Sequence, residues 1–198
     1  MSFNNCRCLI QQISYKQDRV LGLCSRGVYV TKKQKLSYFQ MPATRKVFTL
    51  AMVRKTNSLL LGLKKKGFGE GKWNGFGGKV EKDETVSEGA VRELEEESGL
   101  VAKCLRKIGI LEFEFAGDPV LLEVHVFDVT HYEGEPVETE EMLPQWFPED
   151  GIPYDQMWPD DILWYPLYLK GTKFKGYFLY QGHDTILEYT LTQVEHLP

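Results

Sequence analysis

Three glutamates in one short segment have the spacing needed to bind a divalent cation. Glu93, Glu96 and Glu97 stand at i, i+3 and i+4, so on a helix their side chains share one face. Carboxylate oxygens are the ligands that Mg²⁺ and Mn²⁺ prefer, and such a cation can offset the charge of a diphosphate. Like charges at this spacing destabilise a bare helix by roughly 0.2–0.5 kcal/mol per pair, so a solvated acidic face is the alternative interpretation.

The residues before these glutamates predict a helix that follows a glycine-rich loop. Thr85 and Glu88 have the capping-box spacing, which predicts a helix from residue 85 or 86 to 98, and Gly99 suits its C-terminal cap. The loop Gly-Phe-Gly-Gly at 75–78 lies just upstream, and a glycine backbone can approach the carboxylates closely. Three convergent carboxylates and an exposed loop carbonyl predict a hard-oxygen metal site.

Apolar and alternating runs predict strands on both sides of this helix. A second helix is expected over residues 160–169, with a kink at Pro166. The order of strands, helix, strands, helix and strands indicates an α/β fold with a mixed sheet and helices packed on it. The predicted strands cover residues 47–53, 59–63, 108–115, 120–129, 177–180 and 186–191, with a short one ending at 146–147.

The charge of the chain is unevenly distributed, which divides it into two parts. The 198 residues carry a net charge of −4, but residues 1–40 contain seven basic residues and one acidic residue. We interpret 1–40 as a basic, poorly ordered N-terminal extension and 41–198 as the catalytic domain, with Met41 as a possible alternative start. A targeting presequence and a non-catalytic extension are both open for 1–40.

Composition excludes several classes of protein. Apolar runs are far shorter than the roughly 20 residues of a membrane span, so no membrane partner is expected. The acidic 41–198 segment is a poor non-specific ligand for nucleic acid, and phosphates would have to be bound through a metal. The four cysteines have neither zinc-finger nor CxxC spacing, which favours free thiols in a reducing compartment.

The segment from residue 78 to residue 100 resembles the Nudix box, the signature of hydrolases of nucleoside diphosphates linked to another moiety. Every fixed position of the box is present: Gly78-x5-Glu84-x7-Arg92-Glu93-Leu94-x-Glu96-Glu97-x-Gly99-Leu100. The resemblance implies an α/β/α sandwich in which Mg²⁺, or Mn²⁺ in its place, binds Glu93, Glu96, Glu97 and the carbonyl of Gly77. It also implies that Glu84 and Arg92 support the loop through an ion pair.

A wider resemblance, over about residues 45–196, is to the branch of this family that hydrolyses oxidised purine nucleoside triphosphates. It rests on segments such as Trp73-Asn74-Gly75-Phe76-Gly77-Gly78-Lys79 and Trp158-Pro159-Asp160-Asp161. It implies that Glu141 reaches the metals from another loop, and either Glu97 or Glu141 could be the general base. The implied substrate contacts are Thr49, Lys64, Phe68, Asn74, Phe76, Gly77, Gly78, Lys79, Phe113, Trp158, Pro159, Asp160 and Asp161.

Asp160 and Asp161 are the informative part of that set. Two carboxyls held close together in an apolar pocket tend to share one proton, because burial and mutual repulsion raise one pKa. The hypothesis is that the pair reads 8-oxo-guanine and 2-oxo-adenine by changing which acid is protonated. The alternative is a helix entry, where carboxylates favour the positive end of the dipole. Leu122 stands where mammalian members of this branch have methionine, which leaves the fine preference among purines open.

The resemblance implies cleavage of 8-oxo-dGTP, 2-oxo-dATP and related triphosphates to the monophosphate and pyrophosphate, which cleanses the nucleotide pool. Two alternatives stay open: a Nudix hydrolase of other substrates, such as alkylated purine triphosphates, and a nucleotide-binding regulator without catalysis. Lys64 and Lys79 could also be solvated surface lysines. We expect a monomer located in the cytoplasm, with the nucleus and mitochondria as further possibilities.

Overall fold

The computed structural model of the chain describes residues 44–198. The predicted extension 1–40 and the alternative start at Met41 lie outside these residues. Within residues 44–198, no helix has the length and apolar character that a membrane span requires.

Strands and helices follow one another in the predicted order, but several strands are longer than the sequence indicates. The fourth strand begins at Val101 instead of residue 108, because the exposed Lys103 and Cys104 interrupt the apolar alternation there. A two-residue strand and two short 3₁₀ turns were not predicted. The elements are β1 Thr44–Lys55, β2 Ser58–Lys64, β3 Trp73–Asn74, α1 Val86–Ser98, β4 Val101–Phe115, β5 Val120–Glu133, β6 Met142–Pro148, the turns Glu149–Gly151 and Tyr154–Gln156, α2 Asp161–Leu169, β7 Phe174–Gln181 and β8 Thr185–Gln193.

The eight strands form one mixed sheet, as predicted. The order across the sheet is β3-β2-β1-β5-β4-β7-β8, and β6 also pairs with β2. The pairs β1 with β5 and β4 with β7 are parallel, whereas the remaining pairs are antiparallel.

A helix packs on each face of this sheet, which confirms the predicted mixed α/β fold. Because side chains alternate along a strand, Leu50 and Met52 of β1 join the core beside α2, whereas Ala51 and Val53 join the core beside α1. Trp164, Tyr165 and Tyr168 fill the α2 side, and Leu94 anchors the α1 side.

One buried charge ties the α2 side to the sheet. Asp128 of β5 is only 3% exposed, and its carboxylate is paired with Arg54 at 2.8 Å and with Arg106 at 2.6 Å. The hydroxyl of Tyr168 donates a third bond to it at 3.2 Å. A buried carboxylate is tolerated only when it is paired and hydrogen-bonded in this way.

The helix α1 has the caps that its sequence predicts. The Thr85 hydroxyl accepts from the amide of Glu88, and the Glu88 carboxylate accepts from the amide of Thr85, which completes the capping box. Gly99 ends the helix with φ of 74°, a left-handed conformation that favours glycine. These caps fix where the helix starts and ends, and therefore which of its side chains face the glycine loop.

Thr85→Ala is expected to lower the free energy of unfolding by about 1 kcal/mol, because the amide of Glu88 loses its acceptor. Urea unfolding followed by circular dichroism measures the change. The control is Ser87→Ala, an exposed position in the first turn of the same helix. Equal stability of the two variants would contradict a role for the cap.

Candidate active site

The glycine loop 75–78 lies so close to β1 and to the acids of α1 that a Cβ atom at Gly77 or Gly78 would clash. Phe76 exchanges two backbone hydrogen bonds with Ala51, and the amide of Thr49 donates to the carbonyl of Gly78 at 2.9 Å. A Cβ atom at Gly77 would lie 2.0 Å from the carbonyl oxygen of Thr49. At Gly78 it would lie 2.4 Å from a carboxylate oxygen of Glu93. Glycine is therefore required at position 77, where the clash is with backbone, whereas a side chain at position 78 would displace the carboxylate of Glu93.

Glu97 connects this loop to the helix. Its side chain is 3% exposed, its Oε2 accepts from the amide of Gly77 at 2.8 Å, and its Oε1 is 2.8 Å from the ammonium of Lys64. The same ammonium lies 3.0 Å from Glu141, on the loop before β6. One lysine thus bridges two of the acids that the sequence suggested as general bases.

The pKa shifts of this group oppose each other. Burial raises the pKa of Glu97 in spite of the nearby Lys64 and the amide of Gly77. Burial lowers the pKa of Lys64, but hydrogen bonds and charges from Glu97 and Glu141 outweigh it and the net shift is upward. We favour a charged pair, because both partners at hydrogen-bond distance from Glu97 are donors and an ionised carboxylate accepts from both.

Arg92 holds the other acids of the helix. Its guanidinium lies 2.8 Å from Glu84, 2.8 Å from Glu93 and 3.0 Å from Glu96. The pair of Glu84 with Arg92 is the one that the Nudix resemblance implied. The hydrogen bonds from Arg92 to Glu84, together with one from the amide of Glu81, lower the pKa of Glu84 to about 2. The like charges on this helix face are thus partly neutralised from within the same helix.

The acids of α1 border a cavity of about 600 Å³ whose lining chemistry suits a hard divalent cation. Six glutamates line it, against two cations, Lys64 and Arg92. Among residues 44–198, however, no three acidic, histidine or cysteine side chains converge as a ready metal cage. Lys64 and Arg92 supply positive charge to these carboxylates instead. The donor set fits the metal that the sequence predicts. The glutamates are Glu81, Glu93, Glu96, Glu97, Glu140 and Glu141.

A second, larger cavity of about 940 Å³ is mainly apolar and aromatic. The ring of Trp158 stacks on Phe68 at a centroid distance of 5.0 Å and an interplanar angle of 24°. The ammonium of Lys72 lies 5.2 Å from the centre of the Trp158 ring. Phe68 is 58% exposed at the mouth of the cavity. Flat aromatic faces of this kind stack on bases, each worth about 1–3 kcal/mol.

Most of the predicted substrate contacts line this aromatic cavity. Leu122, which stands where mammalian members of this branch have methionine, also lines it. The hydroxyl of Thr49 is buried and has no hydrogen-bond partner among the described residues, a cost that a ligand could remove. Four residues, Lys64, Gly77, Gly78 and Glu141, line both cavities, so the two cavities adjoin. The other predicted contacts on the aromatic cavity are Phe68, Asn74, Phe113, Trp158, Asp160 and Asp161.

Three predicted substrate contacts, Phe76, Lys79 and Pro159, do not line the aromatic cavity, and their roles stay predictions. Phe76 is fully buried in the α1-side core, where its ring anchors the loop against the sheet. Pro159 and Lys79 line neither cavity. The side chain of Lys79 is exposed, and its carbonyl accepts a hydrogen bond from Arg92.

Asp160 and Asp161 are both almost fully buried at the inner end of the aromatic cavity. Burial raises the pKa of Asp160, although hydrogen bonds from Tyr180 and Trp164 oppose the shift. Burial also raises the pKa of Asp161 well above its ordinary range, and the charge of Asp160 raises it further. Burial therefore favours a proton on this pair of acids.

Sequence reasoning did not identify Tyr180 and Trp164 as part of the site. Both line the aromatic cavity and both donate to Asp160. A signal for Tyr180 exists in the alternation of β7, where Phe174, Gly176 and Phe178 face inward and Tyr180 continues the series. A tyrosine at an inward position needs a partner for its hydroxyl, which points to a buried acceptor.

His125 is a buried residue of the sheet. It is 7% exposed in β5, and its Nε2 lies 2.7 Å from Glu123. Burial, with a further contribution from the charge of Lys107, lowers the pKa of His125 to about 4.

Comparisons with known proteins agree with this geometry. The profile of the NUDIX domain matches residues 43–168. The chain is 56% identical over 154 residues to the oxidized purine nucleoside triphosphate hydrolase of Danio rerio, covering 78% of this chain and 99% of that protein. It is 52% identical over 153 residues to the protein of the same name from Mus musculus, covering 77% and 98%.

A solved structure shows the same fold. The MutT protein from Bacillus halodurans superposes with a TM-score of 0.67 at 25% identity, over 74% of this chain and 97% of that one. A MutT NUDIX hydrolase from Burkholderia pseudomallei superposes less extensively, with a TM-score of 0.52 at 26% identity over 55% and 87%.

Replacing Glu84 with glutamine is expected to weaken the pH dependence of stability. The pKa of Glu84 in the fold, about 2, lies below its ordinary value of 4.5, so its pairing stabilises the protein above about pH 4.5. That contribution is lost as the pH falls from 4.5 towards 2. Urea unfolding at pH 7 and pH 3, without divalent metal, should show a smaller difference for Glu84→Gln than for the native chain.

The matched control for this measurement is Glu95→Gln, an exposed glutamate of the same helix. Its pH dependence should equal that of the native chain. A native pH dependence in Glu84→Gln would mean that the ion pair does not stabilise the loop.

Proposed function

The chain belongs to the NUDIX family, and we propose that it hydrolyses oxidised purine nucleoside triphosphates to the monophosphate and pyrophosphate. The observation that carries the proposal is that the two cavities adjoin, with Lys64, Gly77, Gly78 and Glu141 lining both. An aromatic cavity suited to a purine therefore lies next to an acidic cavity suited to a metal and phosphates. The named relatives, at 52–56% identity over nearly their whole length, support the same substrate class.

The phosphate end is organised by the acids of α1. Members of the NUDIX family generally use a divalent metal, and here Glu93, Glu96, Glu97, Glu141 and the carbonyl of Gly77 would hold it. Bound Mg²⁺, or Mn²⁺ in its place, supplies positive charge that offsets the charge of the triphosphate. Arg92 orients Glu93 and Glu96 by hydrogen bonds at 2.8 and 3.0 Å.

The attacking water needs a base within hydrogen-bond reach. Glu97 is rigidly held by the amide of Gly77 and by Lys64, whereas Glu141 is 49% exposed on a loop. Either carboxylate can take a proton from the water while the water oxygen bonds to phosphorus and the bond to the leaving group breaks. Lys64 contacts both, so it can orient whichever one acts.

The base end supplies selection. The purine would stack on Trp158 beside Phe68, with Asn74 offering one donor and one acceptor to its edge. Asp160 and Asp161 would read the remaining polar atoms at the inner end of the cavity. A base that lacks the matching polar atoms would bury its own polar edge against these carboxyls without forming hydrogen bonds, which is a strong basis for discrimination.

The cellular role that follows is the removal of oxidised nucleotides before a polymerase incorporates them. We propose that the enzyme acts as a monomer on small-molecule nucleotides in the cytoplasm, with no nucleic-acid partner. Neither the oligomeric state nor the compartment is needed for the chemistry described above.

Pyrophosphate release from 8-oxo-dGTP, 2-oxo-dATP and dGTP in the presence of Mg²⁺ tests this function. The native chain should prefer the oxidised purines. Glu97→Gln should lower kcat by about 10²–10⁴-fold, because the variant loses a candidate base and a metal ligand. Glu95→Gln, an exposed neighbour on the same helix, serves as the matched control and should retain the native rate.

Two results would oppose the proposal. A preference for an alkylated purine triphosphate over every oxidised one would keep the NUDIX chemistry and change the substrate. Tight nucleotide binding with no turnover in the native chain would instead favour a nucleotide-binding regulator.

A further inference from the structure

The hydroxyl of Tyr180 in β7 forms two hydrogen bonds with Asp160, one as a donor and one as an acceptor. Its hydroxyl donates to Oδ1 of Asp160 at 2.5 Å, and its oxygen accepts from the backbone amide of Asp160 at 3.2 Å. Tyr180 is 1% exposed, and its ring packs between Phe115 and Trp158, so the hydroxyl has no freedom to turn away. This buried contact is not part of the chemistry derived above.

The donors around Asp160 determine what that carboxyl can do. The Nε1–H of Trp164, which can only donate, bonds to Oδ2 of Asp160 at 3.0 Å. Because the backbone amide occupies the Tyr180 oxygen, the only hydrogen of the hydroxyl is left for Oδ1. Both oxygens of Asp160 therefore accept hydrogen bonds. A length of 2.5 Å is typical of a hydroxyl bonded to an ionised oxygen.

Asp161 is surrounded differently. Its Oδ2 accepts from the backbone amide of Trp158 at 3.0 Å, and it is 2% exposed. Its carboxyl accepts fewer hydrogen bonds than the carboxyl of Asp160 does, and the negative charge of Asp160 lies next to it. A second charge so close to the first, in a buried site, is strongly unfavourable.

We propose that Tyr180 is a positioning residue that keeps Asp160 as the hydrogen-bond acceptor and leaves the proton of the pair on Asp161. This proposal rests on the proposed function and adds a determinant of substrate preference to it. Asp160 then accepts from an N–H of the base, and Asp161 donates to a carbonyl or ring nitrogen. The polarity of the pair is set by the protein before any substrate binds.

This fixed polarity has consequences for the two oxidised purines. The 8-oxo-guanine edge runs from a carbonyl through N1–H to an amino group, whereas the 2-oxo-adenine edge runs from an amino group through N1–H to a carbonyl. One acceptor and one donor in fixed positions match one order and oppose the other. A pair that exchanged its proton freely, which is the hypothesis drawn from the sequence, would accept both orders about equally; the fixed polarity proposed here opposes that hypothesis.

Other titratable groups also face the pair. Lys72, in the segment between β2 and β3, lowers the pKa of Asp161, but burial dominates the shift and raises it. Burial raises the pKa values of Tyr154 and Tyr165, so both stay neutral. His183 lines the same cavity. All four are unchanged by a substitution at Tyr180, so their effects cancel when variants are compared.

The test uses Tyr180→Phe, which removes only the hydroxyl, and Tyr177→Phe as the matched control. Tyr177 lies on the same strand and donates to Glu114 at 2.8 Å, away from both cavities. The first readout is the ratio of kcat/KM for 8-oxo-dGTP and 2-oxo-dATP. We expect a native ratio far from one, which moves towards one by about tenfold in Tyr180→Phe and stays unchanged in Tyr177→Phe.

The second readout does not depend on activity or metal. Binding of the nucleosides 8-oxo-2′-deoxyguanosine and 2-oxo-2′-deoxyadenosine is followed by tryptophan fluorescence between pH 4 and pH 8, without metal. The Tyr180 hydroxyl stabilises ionised Asp160, so its loss raises the pKa of that carboxyl. For the preferred nucleoside, binding should therefore weaken at a higher pH in Tyr180→Phe than in the native chain or in Tyr177→Phe.

The outcomes separate the two proposals. A native chain that hydrolyses neither triphosphate overturns the proposed function, and the nucleoside titration still decides the role of Tyr180. Hydrolysis with an unchanged ratio and an unchanged pH profile in Tyr180→Phe overturns the Tyr180 proposal alone, as does the absence of any nucleoside binding. If Tyr180→Phe does not fold, Trp164→Phe removes the other side-chain donor to Asp160, and the same two shifts are expected.

Discussion

The close approach of the glycine loop to β1 is the contact on which both cavities depend. At Gly77 the carbonyl of Thr49 leaves no room for a Cβ atom, and at Gly78 the carboxylate of Glu93 fills the same space. This contact places the amide of Gly77 against Glu97 and so fixes the helix relative to the sheet. Any larger residue would move the acids of α1 away from the wall that the aromatic cavity shares with them.

Buried charge is the second constraint, and it is handled differently at the two ends of the site. At the phosphate end, Lys64 and Arg92 neutralise Glu97, Glu93 and Glu96, so positive charge is already present where a metal would bind. At the base end no cation forms a salt bridge with the carboxyls within residues 44–198, and Asp160 is instead satisfied by neutral donors. Acids that hold a metal suit phosphates, whereas a pair of acids held by neutral donors can discriminate among neutral bases.

The sequence predicted those parts of the site that depend on local periodicity. The spacing of Glu93, Glu96 and Glu97 on one helix face, the capping box and the mixed sheet followed from residue types and their intervals. Contacts between distant segments were not predictable in the same way. The bond between Lys64 and Glu97 joins positions 33 residues apart, and the bond between Tyr180 and Asp160 joins positions 20 apart. The ring of Phe76 is buried in the α1-side core, a placement that depends on the contact between the loop and β1.

In the proposed function, the acids of α1 perform the chemistry and the aromatic cavity selects the base. A double-mutant cycle with Glu97→Gln and Trp158→Ala, measured as kcat/KM for 8-oxo-dGTP and for dGTP, tests it most directly. The account predicts that Glu97→Gln lowers both values by the same factor and keeps their ratio, whereas Trp158→Ala removes most of the ratio. If Glu97→Gln changed the ratio as much as Trp158→Ala does, selection and chemistry would not be separable and the account would be wrong.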